Sequence, residues 1–236
     1  MGTINLFFDT EFTGLRNGTK LISIGCMIGA TTFYAETSDW VEDKENIDEG
    51  TLKFLEKEVI PGLVYYDGYI RMANTFTKDD YYNSIVMIGS EKDIGRELVK
   101  WILGIAMTTK ENMEEDKIII TPVSDVMYYD MVLFNDLVKQ GLSYADLKES
   151  SEKNHIIISP YGIDICDIIR EYEKVDSYTA FDMNREDLLD ELDPDNNRLV
   201  YPTKKHNSLY DARIIREIYK AYQSKFQSLR RKDLIF

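Results

Sequence analysis

Two groups of polar residues at opposite ends of the chain have the types and spacing to do chemistry. The first is Phe8-Asp9-Thr10-Glu11-Phe12-Thr13-Gly14-Leu15. In an extended chain successive side chains alternate faces, so Asp9 and Glu11 project from one side about 7 Å apart, close enough to share a hard cation. Without a cation they repel, and the competing reading is the exposed polar face of an edge strand. Placement favours the cation, because Ile4, Leu6, Phe7 and Phe8 before the pair are apolar and the acids stand where a core strand emerges. The second group is His206-Asn207-Ser208-Leu209-Tyr210-Asp211. On the first turn of a helix Asp211 would supply a third metal carboxylate, and His206 on the loop before it a general base. Ser208 and Asp211 also fit S-x-x-[DE], so Asp211 has the alternative of a capping-box acid favoured by the helix dipole. His206 alone would be an ordinary loop histidine, and His155 has a strand-edge or loop role.

Apolar runs at Ile4 to Asp9, Leu21 to Gly29 and Thr31 to Glu36 read as three strands of an antiparallel meander. A helix is predicted from Asp48 to Val59, ended by Pro61-Gly62, and a short buried strand at Ser84 to Gly89. Ser90-Glu91-Lys92-Asp93 has capping-box form and opens a helix with Ile94, Leu98, Trp101, Ile102 and Ile105 on one face. Lys117 to Val123 is a compact strand before a helix bearing Met131, Leu133, Phe134, Leu137 and Val138. Ile156 to Ser159 is a further strand, Asp167 to Glu173 and Glu186 to Leu192 are short helices, and a last helix spans about 208–226. Strand and helix alternate as in an α/β domain.

DxExTGL after an N-terminal strand, with HxxxxD opening a C-terminal helix, resembles the DEDDh family of 3′-5′ exonucleases, which have the ribonuclease H-like fold. The DTEF start followed by LISIG is most similar to its small bacterial and phage exoribonucleases. The likeness covers about residues 4–29, 117–138 and 204–219. It implies one exonuclease domain over 1–236, a mixed sheet of five to six strands flanked by helices, and a family-atypical insertion at about 39–116. The family needs one more Asp at the start of a helix after a core strand. Asp130 in Tyr128-Tyr129-Asp130-Met131 fits best, although the common N-x-x-F-D form is absent, Val126 and Tyr129 standing at those places. Asp125 is its rival, and a plain helix N-cap is the other role open to Asp130.

Carried over, the resemblance implies that Asp9 bridges two divalent ions, Glu11 and Asp211 complete the first site, Asp130 supports the second, and His206 deprotonates the attacking water. Two ions roughly 3.5 to 4 Å apart stabilise both the attacking and leaving oxygens of an in-line displacement, and oxygen ligands suit Mg²⁺ or Mn²⁺. The backbone of Phe12, with Thr13 and Leu15, would hold the terminal nucleotide, Leu15 as a wedge between bases. The implied activity is a 3′-5′ exoribonuclease releasing nucleoside monophosphates from single-stranded RNA. The alternatives are a 3′-5′ DNA exonuclease, or a noncatalytic nucleic-acid or partner-binding module. Some relatives are dimers, so a homodimer is a further expectation. Tyr65-Tyr66, Tyr81-Tyr82 and Tyr128-Tyr129 are candidate stacking surfaces for bases, and Lys204 and Lys205 candidate phosphate contacts.

Composition narrows the field. With 44% hydrophobic and 30% charged residues the chain has ordinary globular usage. Twenty-eight basic against 42 acidic residues give a net charge of −14, which argues against broad nonspecific duplex binding through a basic face. Bound divalent ions would invert that logic locally. The longest uncharged stretch, Leu21 to Ala35, falls short of the roughly 18 apolar residues of a membrane span. Its start lacks the basic region of a signal peptide, and Leu6 breaks the myristoylation pattern, so a cytoplasmic location is expected. Cys26 and Cys166 lie in apolar sequence without CxxC spacing, as reduced core thiols would.

Overall fold

A computed structural model describes residues 1–64, 84–125, 127–194 and 205–233. Its centre is a mixed sheet of seven strands in the order β4-β3-β2-β1-β5-β6, with β7 also paired to β5. β1 (Gly2–Phe12), β2 (Leu21–Ile28) and β3 (Thr31–Thr37) form the expected antiparallel meander. β4 (Ser84–Gly89) adds in parallel beside β3, and β5 (Ile118–Ser124) in parallel beside β1. β6 (Ile156–Ile158) and β7 (Ile163–Asp164) pair with successive parts of β5. Pro160 and Gly162 interrupt that edge and divide it into two short strands, which takes the count beyond the expected five to six. Ser84 to Gly89 is not the buried strand its apolar run suggested. It forms the sheet's edge, and Ile88 is 50% exposed.

Helices cover both faces, so the central strands are apolar on both sides. α2 (Glu91–Met113) and α3 (Met127–Gly141) pack on one face, where Leu6 and Phe8 of β1 join Leu98, Ile102, Phe134 and Leu137. Ser90 caps α2 as expected, its hydroxyl accepting the Asp93 N–H at 3.2 Å. On the other face Phe7, Met27 and Tyr34 meet α5 (Ile165–Glu173), α7 (Arg185–Leu192) and the long α8 (Ser208–Asp233). α4 (Ala145–Lys153) leads into β6, and α6 (Ser177–Asp182) links α5 to α7. α1 (Glu49–Phe54) continues through a π turn (Leu55–Val59) and a 3₁₀ turn, and this segment packs Leu55, Val59, Ile60 and Leu63 against Trp40 and Ile22. Residues 84–113 are thus part of the sheet and its cover. Tyr65, Tyr66, Tyr81, Tyr82 and Lys204 lie outside the described residues.

Candidate metal centre and cleft

The alternation of β1 sorts the site residues by face. Phe7, Asp9 and Glu11 turn towards α8, whereas Phe8, Thr10 and Phe12 turn towards α3. As the i, i+2 spacing predicts, Asp9 and Glu11 are neighbours. Each presents a carboxylate oxygen to Asp211 of α8, and the three ligand atoms lie within 4.8 Å of one another.

Asp211 is delivered by the way α8 begins. Asn207 is the cap, its Oδ1 accepting the Tyr210 N–H at 3.1 Å while its Nδ2 donates to the Gly62 carbonyl at 2.9 Å. Ser208 makes no capping box, because its hydroxyl is buried against that of Ser23 at 3.0 Å. Asp211 instead accepts the backbone N–H of His206 at 3.0 Å, which ties the histidine's loop to the helix start. His206 sits at φ 67°, the left-handed region that non-glycine residues seldom enter. Its ring meets Phe54 edge-on at 5.1 Å between centroids, and its Nδ1 is 3.9 Å from Glu11 Oε1.

Asp130 comes from the opposite face and does not join the three-carboxylate cluster. It is 4% exposed, its Oδ2 accepts the Ser124 hydroxyl at 2.9 Å and its Oδ1 accepts that of Thr10. Asp125, the rival, also lines the cleft, but its charge is answered: Arg185 holds it through Nε at 2.7 Å and Nη2 at 2.9 Å. Cys166 donates to Asp125 at 3.2 Å, so this thiol lies in a polar junction and not in the apolar surroundings its sequence suggested. The start of α5 docks at the end of β5 and brings it there. Burial, with Asp125 next, pushes its pKa up to about 12, as expected of an inert thiol.

The carboxyls are costly to ionise together. Burial and then the charges of Asp130, Asp211 and Glu11 hold Asp9 well above the usual carboxyl range. Burial, then Asp211 and Asp130, do the same to Glu11. Burial drives Asp211 up to about 8, opposed by the His206 N–H and reinforced by Glu186. It also drives Asp130 up to about 7 against the hydroxyls of Thr10 and Ser124. His206 moves the other way, since burial and then Lys205 disfavour the imidazolium. The site therefore combines carboxyls that resist ionising together with a histidine whose uncharged form is favoured.

These groups open into a cleft of about 770 Å³. Phe12 and Leu15 line it, Phe12 stacked on Tyr129 at 5.5 Å and Leu15 73% exposed. Thr13 does not line it. Its side chain is fully buried, and its hydroxyl accepts the Lys20 N–H at 2.9 Å, closing the loop after β1. Exposed His155 takes no part. Sequence reasoning missed Thr10 and Ser124, which orient Asp130, and Glu186, which accepts the Tyr210 hydroxyl beside Asp211. Only Thr10 carried a signal, as the residue between two acids on a strand. Compared with protein-family models and with curated proteins, the chain matches none.

Proposed function

We propose that this chain is a metal-dependent 3′-5′ exonuclease of single-stranded nucleic acid, RNA favoured over DNA, that works in the cytoplasm and releases nucleoside monophosphates. The observation that carries this reading is the convergence of Asp9, Glu11 and Asp211 within 4.8 Å, with His206 Nδ1 3.9 Å from Glu11 Oε1. Three acids on two elements distant in sequence pack together although burial and mutual repulsion oppose their ionisation. Such an arrangement is unfavourable in a protein with no use for a cation.

The donor set fits the group the reading requires. It is all oxygen, as Mg²⁺ and Mn²⁺ favour, with Asp9, Glu11 and Asp211 as one ligand set and Asp130 held ready on the other side of β1. A bound pair of such ions would neutralise the charge developing on the phosphodiester and acidify the attacking water. The chain's own groups supply the rest. The Asp211 carboxylate fixes the His206 backbone, Phe54 buttresses the ring, and the neutral imidazole accepts a proton from water at the cleft. Leu15 and Phe12 offer the apolar surface for the terminal base. Preference for RNA rests on the motif resemblance, and the two free thiols suit a reducing compartment.

The test replaces Asp9 or Glu11 with Ala and follows release of nucleoside monophosphates from single-stranded RNA and DNA. Release is expected to stop while the circular dichroism spectrum stays native. Full activity in either variant would sink the assignment.

A further inference from the structure

Resting on that reading, we infer that residues 48–64 position its general base. The Phe54 ring holds the His206 imidazole beside Glu11, and the Gly62 carbonyl anchors, through Asn207, the loop that carries it. The His206 backbone is at φ 67°, a conformation that a residue with a side chain keeps only where its surroundings over-determine it. One restraint comes from α8 itself, whose Asp211 carboxylate accepts the His206 N–H. Three more come from this single segment. Asn207 Nδ2 donates to the Gly62 carbonyl at 2.9 Å, and a Cβ on Gly62 would stand 3.1 Å from the His206 oxygen, so the two backbones are in close contact. The third is the edge-on meeting of Phe54 with the imidazole.

The segment is built to hold still. Asp48 caps α1 by accepting the Thr51 N–H at 2.9 Å. Leu55, Val59, Ile60 and Leu63, buried against Trp40 and Ile22, form a small core between Phe54 and Val64. Beyond it the Val64 N–H donates to the Glu36 carboxylate, which also accepts the Tyr34 hydroxyl at 2.7 Å, and all three residues are buried. Phe54 itself is 46% exposed and stands outside that core, with its ring on the imidazole. The turn between Phe54 and Gly62 is a π turn, a departure from helical geometry that is frequent at functional sites. Such rigidity matters to a general base, because a misplacement of about 1 Å can cost about 100-fold in rate.

The experiment reads imidazole ¹H–¹³C NMR signals of the full chain in Mg²⁺ at pH 8.5, where histidine is uncharged, in wild type, Phe54→Ala, Phe54→Tyr and Asn207→Ser. The chain has two histidines, so His155 is the internal control. Serine at position 207 keeps a good helix cap while removing the donor to Gly62. Phe54→Leu, apolar and without a ring, replaces Phe54→Ala if the latter does not fold. Alongside, kcat and KM are measured on single-stranded RNA. The His206 signals should move in Phe54→Ala and Asn207→Ser, return in Phe54→Tyr, and leave those of His155 in place. In the same two variants kcat should fall by about 10- to 100-fold with KM within about threefold of wild type, and Phe54→Tyr should restore it. His206 signals unmoved in both variants, a kcat that holds, or a KM that rises alone would overturn the inference even where wild-type hydrolysis is robust. Signals that move as expected in a protein that hydrolyses no strand would uphold the brace and remove the exonuclease.

Discussion

Gly25 and Leu209 meet backbone to backbone: a Cβ on Gly25 would stand 2.2 Å from the Leu209 nitrogen, closer than any real contact. Gly25 is also the residue paired with Asp9 across β1 and β2. The start of α8 can therefore lie directly over Asp9, and two residues further on Asp211 reaches the same point as Asp9 and Glu11. One missing side chain in β2 thus allows a strand from the first tenth of the sequence and a helix from the last eighth to build one site.

Gly25→Ala is accordingly expected to push α8 off the sheet. The cost should be about 1–3 kcal/mol or more, the range of core overpacking, since the obstacle is backbone and not a flexible side-chain tip. Thermal melts should show a lower Tm than wild type and a smaller rise on adding Mn²⁺. An unchanged Tm and an unchanged Mn²⁺ shift would mean that the close approach does not position Asp211.

The metal-free protein should lose stability as pH rises from 5.5 to 8.5. Asp130 and Asp211 have pKas raised to about 7 and 8, and Asp9 and Glu11 are raised too. Unfolded carboxyls titrate near 4, so the folded state binds protons more tightly, and the stability this confers is lost as pH passes through the folded values. In EDTA the Tm should fall across this range, while saturating Mg²⁺ or Mn²⁺, replacing the protons, should flatten the curve. A Tm that climbs from pH 5.5 to 8.5 in EDTA would contradict the cluster electrostatics.

Asp9→Asn removes one ionisable carboxyl and keeps the shape. At pH 8 in EDTA the variant should melt above wild type, because Glu11, Asp130 and Asp211 lose a repelling neighbour. With Mn²⁺ the order should reverse, as wild type gains more from the ion. Equal Mn²⁺ shifts in both proteins would favour a noncatalytic binding module.

Much of this was legible in the residues. The parity of β1, the capped helix at Ser90 and the strand-then-helix around Asp130 all follow from local spacing, which is set within a few residues of each other. What was not legible depends on contacts between distant segments. Nothing near Asn207 in sequence shows that Gly62 will anchor its side chain, or near Ser208 that Ser23 will take its hydroxyl, and so the cap moved by one residue. Thr13 follows a site motif, yet the loop after β1 closes on its hydroxyl. The pairing of Asp125 with Arg185, which separates it from Asp130 in character, spans 60 residues.

Ser124→Ala should weaken the second carboxylate's hold on a cation in a pH-dependent way. Ser124 donates to Asp130 and favours its ionised form, so without it Asp130 retains its proton to higher pH. Isothermal titration with Mn²⁺ should show the larger affinity loss at pH 6.5 and a smaller one at pH 8.5. A loss independent of pH would indicate that the hydroxyl does not act through Asp130.

His206→Ala should lower kcat by about 10²–10⁴, the usual contribution of a general base, while leaving the Mn²⁺-induced rise in Tm near the wild-type value. Parallel loss of both would assign the histidine to building the site and not to proton transfer.

The most direct test of the central claim incubates the protein and its Asp9→Ala variant with matched 5′-labelled single-stranded RNA and DNA in Mg²⁺, Mn²⁺ or EDTA, and resolves the products at single-nucleotide steps. A metal-dependent ladder shortening from the 3′ end, faster on RNA and absent in the variant, is expected. No cleavage of either polymer in any metal, or a ladder that persists in the Asp9→Ala variant, would contradict it.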